Sequence, residues 1–475
     1  MFSSVLTDKQ VDRLHSAALT ILERTGVHIP HTEMLNRFAD AGAQVDHNFQ
    51  HVRIPPEVVS KSLEQSGKQF TLYGRDLDLK AEFGFGKRNY NSSAGQALWV
   101  DSLGEERRYA TMADVETATR FGDAIESINI VGAMADPHEM PVASRCVAVT
   151  AEMLKQTTKP IAFWYHDRAS ARYINEIVIA LRGDEERATQ YPVCLPLLEP
   201  ISPLRFPFHG VDLLFETARL NMPVPIGPMA QMGISAPATI AGTIAQEHAE
   251  ILAGICVTQI VHPGTPVLYG AGCHAFDMRT TQTIFSGPEQ AIFGVAMTQM
   301  GKSLGIPVAV NTGLTDSKCV DAQAGLEAGI TLSLAAAAGA DIFGHFGICG
   351  VDQAASLEML VMQDEIIAYI ERLLREIDTS DEKIGLDVIE NLEPGTSFLD
   401  TEHTVEHFRS EIWMPRLLDR QYYQSWLDDG ATEMATRCRK RTDQILRSHK
   451  PQPMDEDLVR ALDEIVASAR RHLEQ

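Results

Sequence analysis

"GPMAQMGISAPATIAGTIAQEHAEILAG" occupies residues 227–254. It continues "VPI" at 224–226, an apolar run that reads as a buried strand, and it ends in a helical pattern. Ile240, Ile244, His248 and Ile251 recur on one helical stripe, so His248 reads as a packing histidine. Ser235 can cap this helix, and Pro237 sits near its first turn. The junction between strand and helix carries almost no charge and many small residues. Two readings fit: tight packing of helix on sheet, or a loop that lines a pocket with Gln231 and Met232 facing a ligand.

The same strand–loop–helix unit recurs along the chain. Candidate strands are "RNYNSSAG", "SINIVGAMA", "KPIAFWYHD", "YPVCLPLLEP", "VPIGPMAQ", "PVLYGAG", "PVAVNTG" and "DIFGHFG", each followed by a helical pattern. Eight βα units over residues 88–380 approach the ~250 residues of a (β/α)8 TIM barrel. A doubly wound open sheet competes, but no G-x-G-x-x-G follows the first strand. Residues 1–87 read as a mostly helical lead-in. Thr7 caps a first helix, Gly42 stops a second, and the prolines of "IPPEVVSKSLEQS" open a third. Residues 381–475 read as a helical cap or oligomerisation arm, closing with a helix from Asp455 to Leu473.

Hydrophobic residues make up 44% and charged residues 22%, the composition of a soluble globular protein. The formal charge of −23 argues against nucleic acid or an anionic membrane as the main partner. The seven cysteines are scattered with no C-x-x-C pair, which argues against a disulfide framework or zinc ribbon. No signal-peptide pattern opens the chain, and no apolar run approaches ~20 residues. A reduced, cytoplasmic protein is the expectation.

In a barrel the chemistry lies at the C-terminal strand ends. The aromatic residues near those ends are Tyr90, Trp99, Phe163, Trp164, Tyr165, Phe276 and Phe346; only those of the right strand parity face a pocket. The polar ones are Asn91, His166, Glu199, Gln231, His274, Asn311, Asp316, Lys318 and His345. Each has a structural alternative: Asp316 can cap a helix beginning near Ser317, and Glu199 can pair with Arg205. Cys273 or His274 with His345 or Cys349 would supply zinc ligands, although no spacing signature supports them.

Segments spread over nearly the whole chain resemble the trimethylamine methyltransferase family. They include "LTDKQVDRLHSAALTILERTGVHI", "GQALWVDSLGEERRYATMADV", "PMAQMGISAPATIAGTIAQEHAEILAGI", "DMRTTQTIFSGPE" and "FLDTEHTVEHFRSEIWMPRLLDR". The resemblance implies a TIM barrel that moves a methyl group from an amine to the cobalt of a separate corrinoid protein. The trimethylamine enzymes use pyrrolysine, and this chain has only the twenty standard residues. It therefore resembles the members that act on quaternary amines: glycine betaine first, then proline betaine, carnitine and γ-butyrobetaine. Such a nitrogen leaves as a neutral tertiary amine, so no general acid is needed. Catalysis is then positioning and desolvation.

On that reading His345, Glu199 and Gln231 are the catalytic candidates, with His345 orienting a betaine carboxylate. Trp99, Trp164, His166, Asn311 and Phe346 are the substrate-binding candidates, with Trp99 the first choice for a cation–π face. No cofactor or metal is expected to be held tightly by the chain. The D-x-H-x-x-G pattern of corrinoid carriers is absent, so a partner protein supplies the corrinoid. A homo-oligomer is expected. The rival functions are a metal-dependent barrel lyase or hydrolase and a non-catalytic betaine-binding protein.

Overall fold

The computed structural model describes residues 3–475. The 224–261 region is the strand Val224–Ile226, a loop, and the helix Ile240–Val261. Thr239, not Ser235, caps that helix, its hydroxyl accepting the Gly242 N–H at 3.2 Å. Ser235 is used up one turn earlier. Its hydroxyl accepts the Gln231 N–H at 2.9 Å, closing a turn around Gly233, whose φ of 95° favours glycine.

Seven of the eight expected segments contain a strand. Five form one parallel sheet in the order Val224–Ile226, Val267–Ala271, Val308–Val310, Ile342–Phe346 and Asn89–Ser92. Val131–Gly132 and Ile161–Ala162 form a separate parallel pair. Single bridges join Asn91 to Ile130 and Leu198 to Ile226, and the Ile161 N–H donates to the Val193 carbonyl at 3.0 Å. The "YPVCLPLLEP" segment forms no strand of its own. Pro192, Pro196 and Pro200 each lack the N–H a ladder needs. The ladder is therefore interrupted on both sides of this segment. The architecture is α/β with a parallel sheet, and its strands are wrapped by the helices that follow them.

The lead-in contains the helices Asp8–Thr20, Thr32–Asp40 and Pro56–Gln65, the first with a Thr7–Gln10 capping box. It also contains strands that the helical reading missed. Val27–His28, His51–Arg53 and Gln44–Asp46 form one antiparallel sheet. Phe70–Tyr73 and Lys80–Phe83 form a hairpin. Its apolar face, Phe70, Leu72, Ala81 and Phe83, packs in one buried cluster with Ile130, Leu268 and Ile342 of the parallel strands.

Beyond the last strand, Leu357–Leu373 is half of a helix pair with Met434–Ser448. The final helix, Glu456–Leu473, has Asp455 as its cap and lies on Val142–Gln156 and Arg168–Arg182. The short helices between residues 381 and 428 contain no buried residue. Ile377, Leu399 and Tyr422 on this arm are at least 80% exposed. Among the described residues no helix is long and apolar enough to cross a membrane, and all seven cysteines are free thiols.

Candidate functional site

A cavity of about 540 Å³ lies among the parallel segments and opens toward their C-terminal ends. Every segment contributes to its wall: Asn91, Ile130, Ala162, Leu197, Gly227, Gly270, Asn311 and Gly344. Gly227, Pro228 and Met229 of the strand–helix junction belong to this wall, so the stretch does line a pocket, but Gln231 and Met232, the residues expected to face a ligand, do not reach it. A Cβ on Gly270 would come within 2.6 Å of the Ile226 carbonyl oxygen, and one on Gly344 within 2.9 Å of Asn91 Oδ1. Small residues here let the backbones close up while leaving the space between them empty.

Glu247 braces the wall from behind. It sits on the helix Ile240–Val261, fully buried, and its carboxyl accepts the N–H groups of Ala230 (2.9 Å), Gly272 (2.8 Å) and Cys273 (2.9 Å). One side chain thus ties together the loops after two neighbouring strands. Burial pushes its pKa up to about 8 against those three donors. His248 next to it is a packing histidine, as the stripe predicts. It bonds the Tyr269 hydroxyl at 2.8 Å and His15 at 2.9 Å, and burial holds its pKa near 3.

Phe163 and Trp164 follow the strand Ile161–Ala162 and, with Phe285, form the aromatic wall. The Trp164 indole N–H donates to the Gly95 carbonyl at 3.3 Å, which fixes the ring. It lies nearly parallel to the His345 ring, 6.3 Å between centroids. His345 has φ 71°, a left-handed conformation unusual for a residue with a Cβ. Met134, Val351 and Asp352 share it (φ 54°, 61° and 54°). Such strain gathers at sites where function requires a particular geometry. Burial lowers the His345 pKa to about 4, so the ring is neutral at pH 7.

Two carboxyls reach the cavity, Glu199 and Asp352. Protein surrounds both, yet the cavity itself keeps them wetted. Among the described residues Glu199 makes no hydrogen bond or ion pair, and Arg205 does not pair with it; burial raises its pKa. Asp352 accepts a hydrogen bond from the Gln96 amide. Burial, partly offset by that bond and reinforced by the Glu199 charge, raises Asp352 to about 6. Among the described residues no lysine or arginine lines the cavity.

The structure gathers His345, Glu199, Trp164, His166 and Asn311 around this cavity. His166 is anchored by the Val142 carbonyl at 3.0 Å, and Asn311 lies 3.5 Å from His274. It does not bring Trp99, Phe346 or Gln231 there. Trp99 is buried in the strand Leu98–Trp99, between Arg108 and Ala355 in a separate small sheet. Phe346 has the parity of Gly344, but a register shift between Phe343 and Phe346 breaks the alternation, and its ring packs on Tyr90 at 6.0 Å. Gln231 lies beyond the wall, in the strand Gln231–Met232 that pairs with His274–Asp277.

Sequence reasoning missed Gln96, Phe285 and Asp352. The strand-end rule points toward Asp352, six residues after the strand Ile342–Phe346; Phe285 arrives on an inserted hairpin that no periodicity announces. Asp316 does not cap a helix. It accepts the Phe285 N–H at 2.9 Å, and Asp321 caps the helix Ala322–Ala338 instead. Among the described residues no three His, Cys, Asp or Glu side chains form a group able to hold a metal.

The model of the family described as trimethylamine methyltransferase (MTTB) matches residues 2–474, and the chain belongs to that family of methyltransferases. Glycine betaine methyltransferase of Desulfitobacterium hafniense (strain Y51) is 29% identical over 466 residues, covering 98% of this chain and 96% of that protein. Trimethylamine methyltransferase MttB of Methanosarcina thermophila is 28% identical over 480 residues, covering 96% and 95%. The crystal structure of the Methanosarcina barkeri monomethylamine methyltransferase (MtmB) superposes with a TM-score of 0.52, covering 100% of this chain and 95% of that one. At 10% identity this shows a shared fold.

Proposed function

We propose that the chain demethylates a quaternary amine, passing the methyl group to the Co(I) of a corrinoid carried by a separate protein. The observation that carries this reading is the cavity wall, which combines aromatic faces with two carboxyls and, among the described residues, no lysine or arginine. A quaternary ammonium has no N–H to donate. It is held by aromatic faces, each contact worth roughly 0.5–2 kcal/mol, and by opposite charge. Trp164, Phe163 and Phe285 supply the faces. His345, neutral and fixed against Trp164, Asn311 and His166 supply directional polar contacts that orient the rest of the molecule. The wall excludes water from the nitrogen and leaves one methyl directed at the mouth.

The same reading closes the parallel segments into a (β/α)8 barrel. Its support is that spatial neighbours follow chain order all the way round, with the Ile161–Val193 hydrogen bond on one side of the proline-rich fourth segment and the Leu198–Ile226 bridge on the other. A volume of about 540 Å³ suits a small molecule and leaves the corrinoid on its own protein, docked at the strand ends. When docked, that group supplies the cobalt nucleophile. Free thiols support a reducing, cytoplasmic setting, and the exposed apolar arm at 377–427 supports assembly of several copies. The relative named for glycine betaine puts betaines among the first amines to try.

The test is methyl transfer to free Co(I) cobalamin, followed by loss of the Co(I) absorbance. Transfer from at least one quaternary amine is expected from colourless, metal-free protein. Amine binding without any transfer would favour the binding-protein alternative, and activity that depends on a bound metal would favour the lyase or hydrolase.

A further inference from the structure

Resting on the function just proposed, we infer that Glu199 and Asp352 together form the counter-charge for the substrate nitrogen, and that the substrate is cationic overall, with a tail that carries no carboxylate. Three observations point the same way. Both carboxyls reach a cavity that no lysine or arginine among the described residues lines. Glu199 has no hydrogen-bond or ion-pair partner among the described residues, so nothing in the protein balances it. The remaining titratable groups on the wall are two histidines: His345 is held neutral by burial, while at His166 burial is outweighed by the Cys146 thiol and the Val142 carbonyl, which raise its pKa and hold its ring turned to them.

The nearby cations are engaged elsewhere. Arg107 donates to the Gln353 side chain at 2.9 Å, Lys318 to the Asp316 carbonyl at 2.8 Å, and Arg145 pairs with Asp136 at 2.8 Å.

The geometry of the candidate substrates then discriminates. In glycine betaine the carboxylate is one carbon from the nitrogen. Any pose that sets the nitrogen beside Glu199 and Asp352 sets the carboxylate within a few ångströms of them too. At that separation two like charges oppose binding, by an amount that grows as water is excluded. A desolvated carboxylate also needs strong, preferably charged donors, and this wall offers side-chain amides, the neutral His345, and His166, one of whose ring nitrogens is already committed to the Val142 carbonyl. A hydroxyl tail, as in choline, is satisfied by Asn311, His345 or Asn91 without a counter-ion. Aromatic faces and carboxyls therefore act on one end of the ligand, and neutral polar groups on the other.

The alternative is that the carboxyls stay protonated and donate to a carboxylate tail. The two cases differ in the sign of their pH dependence. A cation bound by ionised carboxylates displaces protons, so its affinity rises as pH rises through the raised pKa of Asp352, about 6. A carboxylate bound by protonated acids loses affinity over the same range.

The experiment is calorimetric binding of choline, tetramethylammonium, glycine betaine and 3,3-dimethylbutan-1-ol, the uncharged isostere of choline, to the full chain from pH 5 to 7.5. Choline should bind at least tenfold tighter than glycine betaine or the isostere, gain affinity several-fold with rising pH, and release protons on binding. Glu199→Gln and Asp352→Asn should each weaken choline at least fivefold and flatten its pH profile, with melting temperatures close to the parent's. Tighter binding of glycine betaine than choline, or choline affinity that falls with rising pH, would overturn the inference. Methyl transfer to Co(I) cobalamin, measured alongside, separates the two levels. Transfer from glycine betaine but none from choline removes the inference and keeps the proposed function. Choline binding with this pH signature, but no transfer from any amine, keeps the charge selection and removes the proposed function.

Discussion

The two ends of the parallel strands differ sharply. At the N-terminal end, Phe70, Leu72 and Phe83 of the hairpin meet Ile130, Leu268 and Ile342, and this hydrocarbon closes the cavity as its floor. A few residues further along the same strands stand Asn91, Gly270, Asn311 and Gly344, and the space is left open. Between the two ends side-chain size and polarity change, and the backbone departs from regular strand at the open end, with a register shift after Phe343 and a left-handed His345. The closed end is one place where apolar area is buried, a small cluster beside the larger core formed with the helices. The open end holds strained residues, half-wetted carboxyls and a buried brace, and the site depends on that packed base for its geometry.

Substitutions should separate these roles. The largest effect is expected from Phe83→Ala at the closed end, a loss of about 3–5 kcal/mol in denaturant unfolding. Amine affinity should hardly change. If affinity falls while stability survives, the division between the ends is wrong. Glu247→Ala should cost about 3 kcal/mol or more, because it leaves three buried N–H groups without an acceptor. Since it releases two loops of the open end, it should lower methyl transfer as well. Hydrogen exchange at Ala230, Gly272 and Cys273 would show the release directly.

Trp164→Ala should weaken amine binding by about 1–2 kcal/mol, roughly tenfold, with little change in melting. Trp99→Ala should do the reverse, since that ring packs in a small sheet away from the cavity. The smallest effect concerns His345. His345→Gly and His345→Ala should both lose methyl transfer, but the glycine variant should be more stable than the alanine variant by about 1 kcal/mol, because only glycine adopts φ 71° without strain. Equal melting temperatures would mean that the backbone there relaxes once the ring is gone.

Much of this contrast is readable in the sequence, and the gaps have physical causes. Strands such as "PVLYGAG" and the helices after them show because buried parallel strands are continuous apolar runs and surface helices are periodic. The fourth segment looks like a strand by composition, yet its prolines deny it a ladder. The hairpin Phe70–Tyr73 and Lys80–Phe83 escapes because four-residue strands fall below the reach of periodicity. At the site, His345, Glu199, Trp164, His166 and Asn311 are found by the strand-end rule alone. Phe346 fails because a register shift reverses its face, which alternation cannot foresee. Trp99 fails because an aromatic near a strand end is as useful to packing as to binding. Asp352 is within reach of the rule, but an acid in a glycine-flanked loop gives no sign that it turns inward.

The hairpin that fills the closed end also sets a timetable for biosynthesis. It leaves the ribosome well ahead of its partners Leu268 and Ile342, which follow it by roughly two hundred residues or more. At about 5–20 residues per second the wait is tens of seconds. Throughout that time two phenylalanines and a leucine stand exposed on a nascent chain. Truncation before Ile342 would leave them without a complete partner surface, so stalled or shortened products should be early clients of chaperones and proteases.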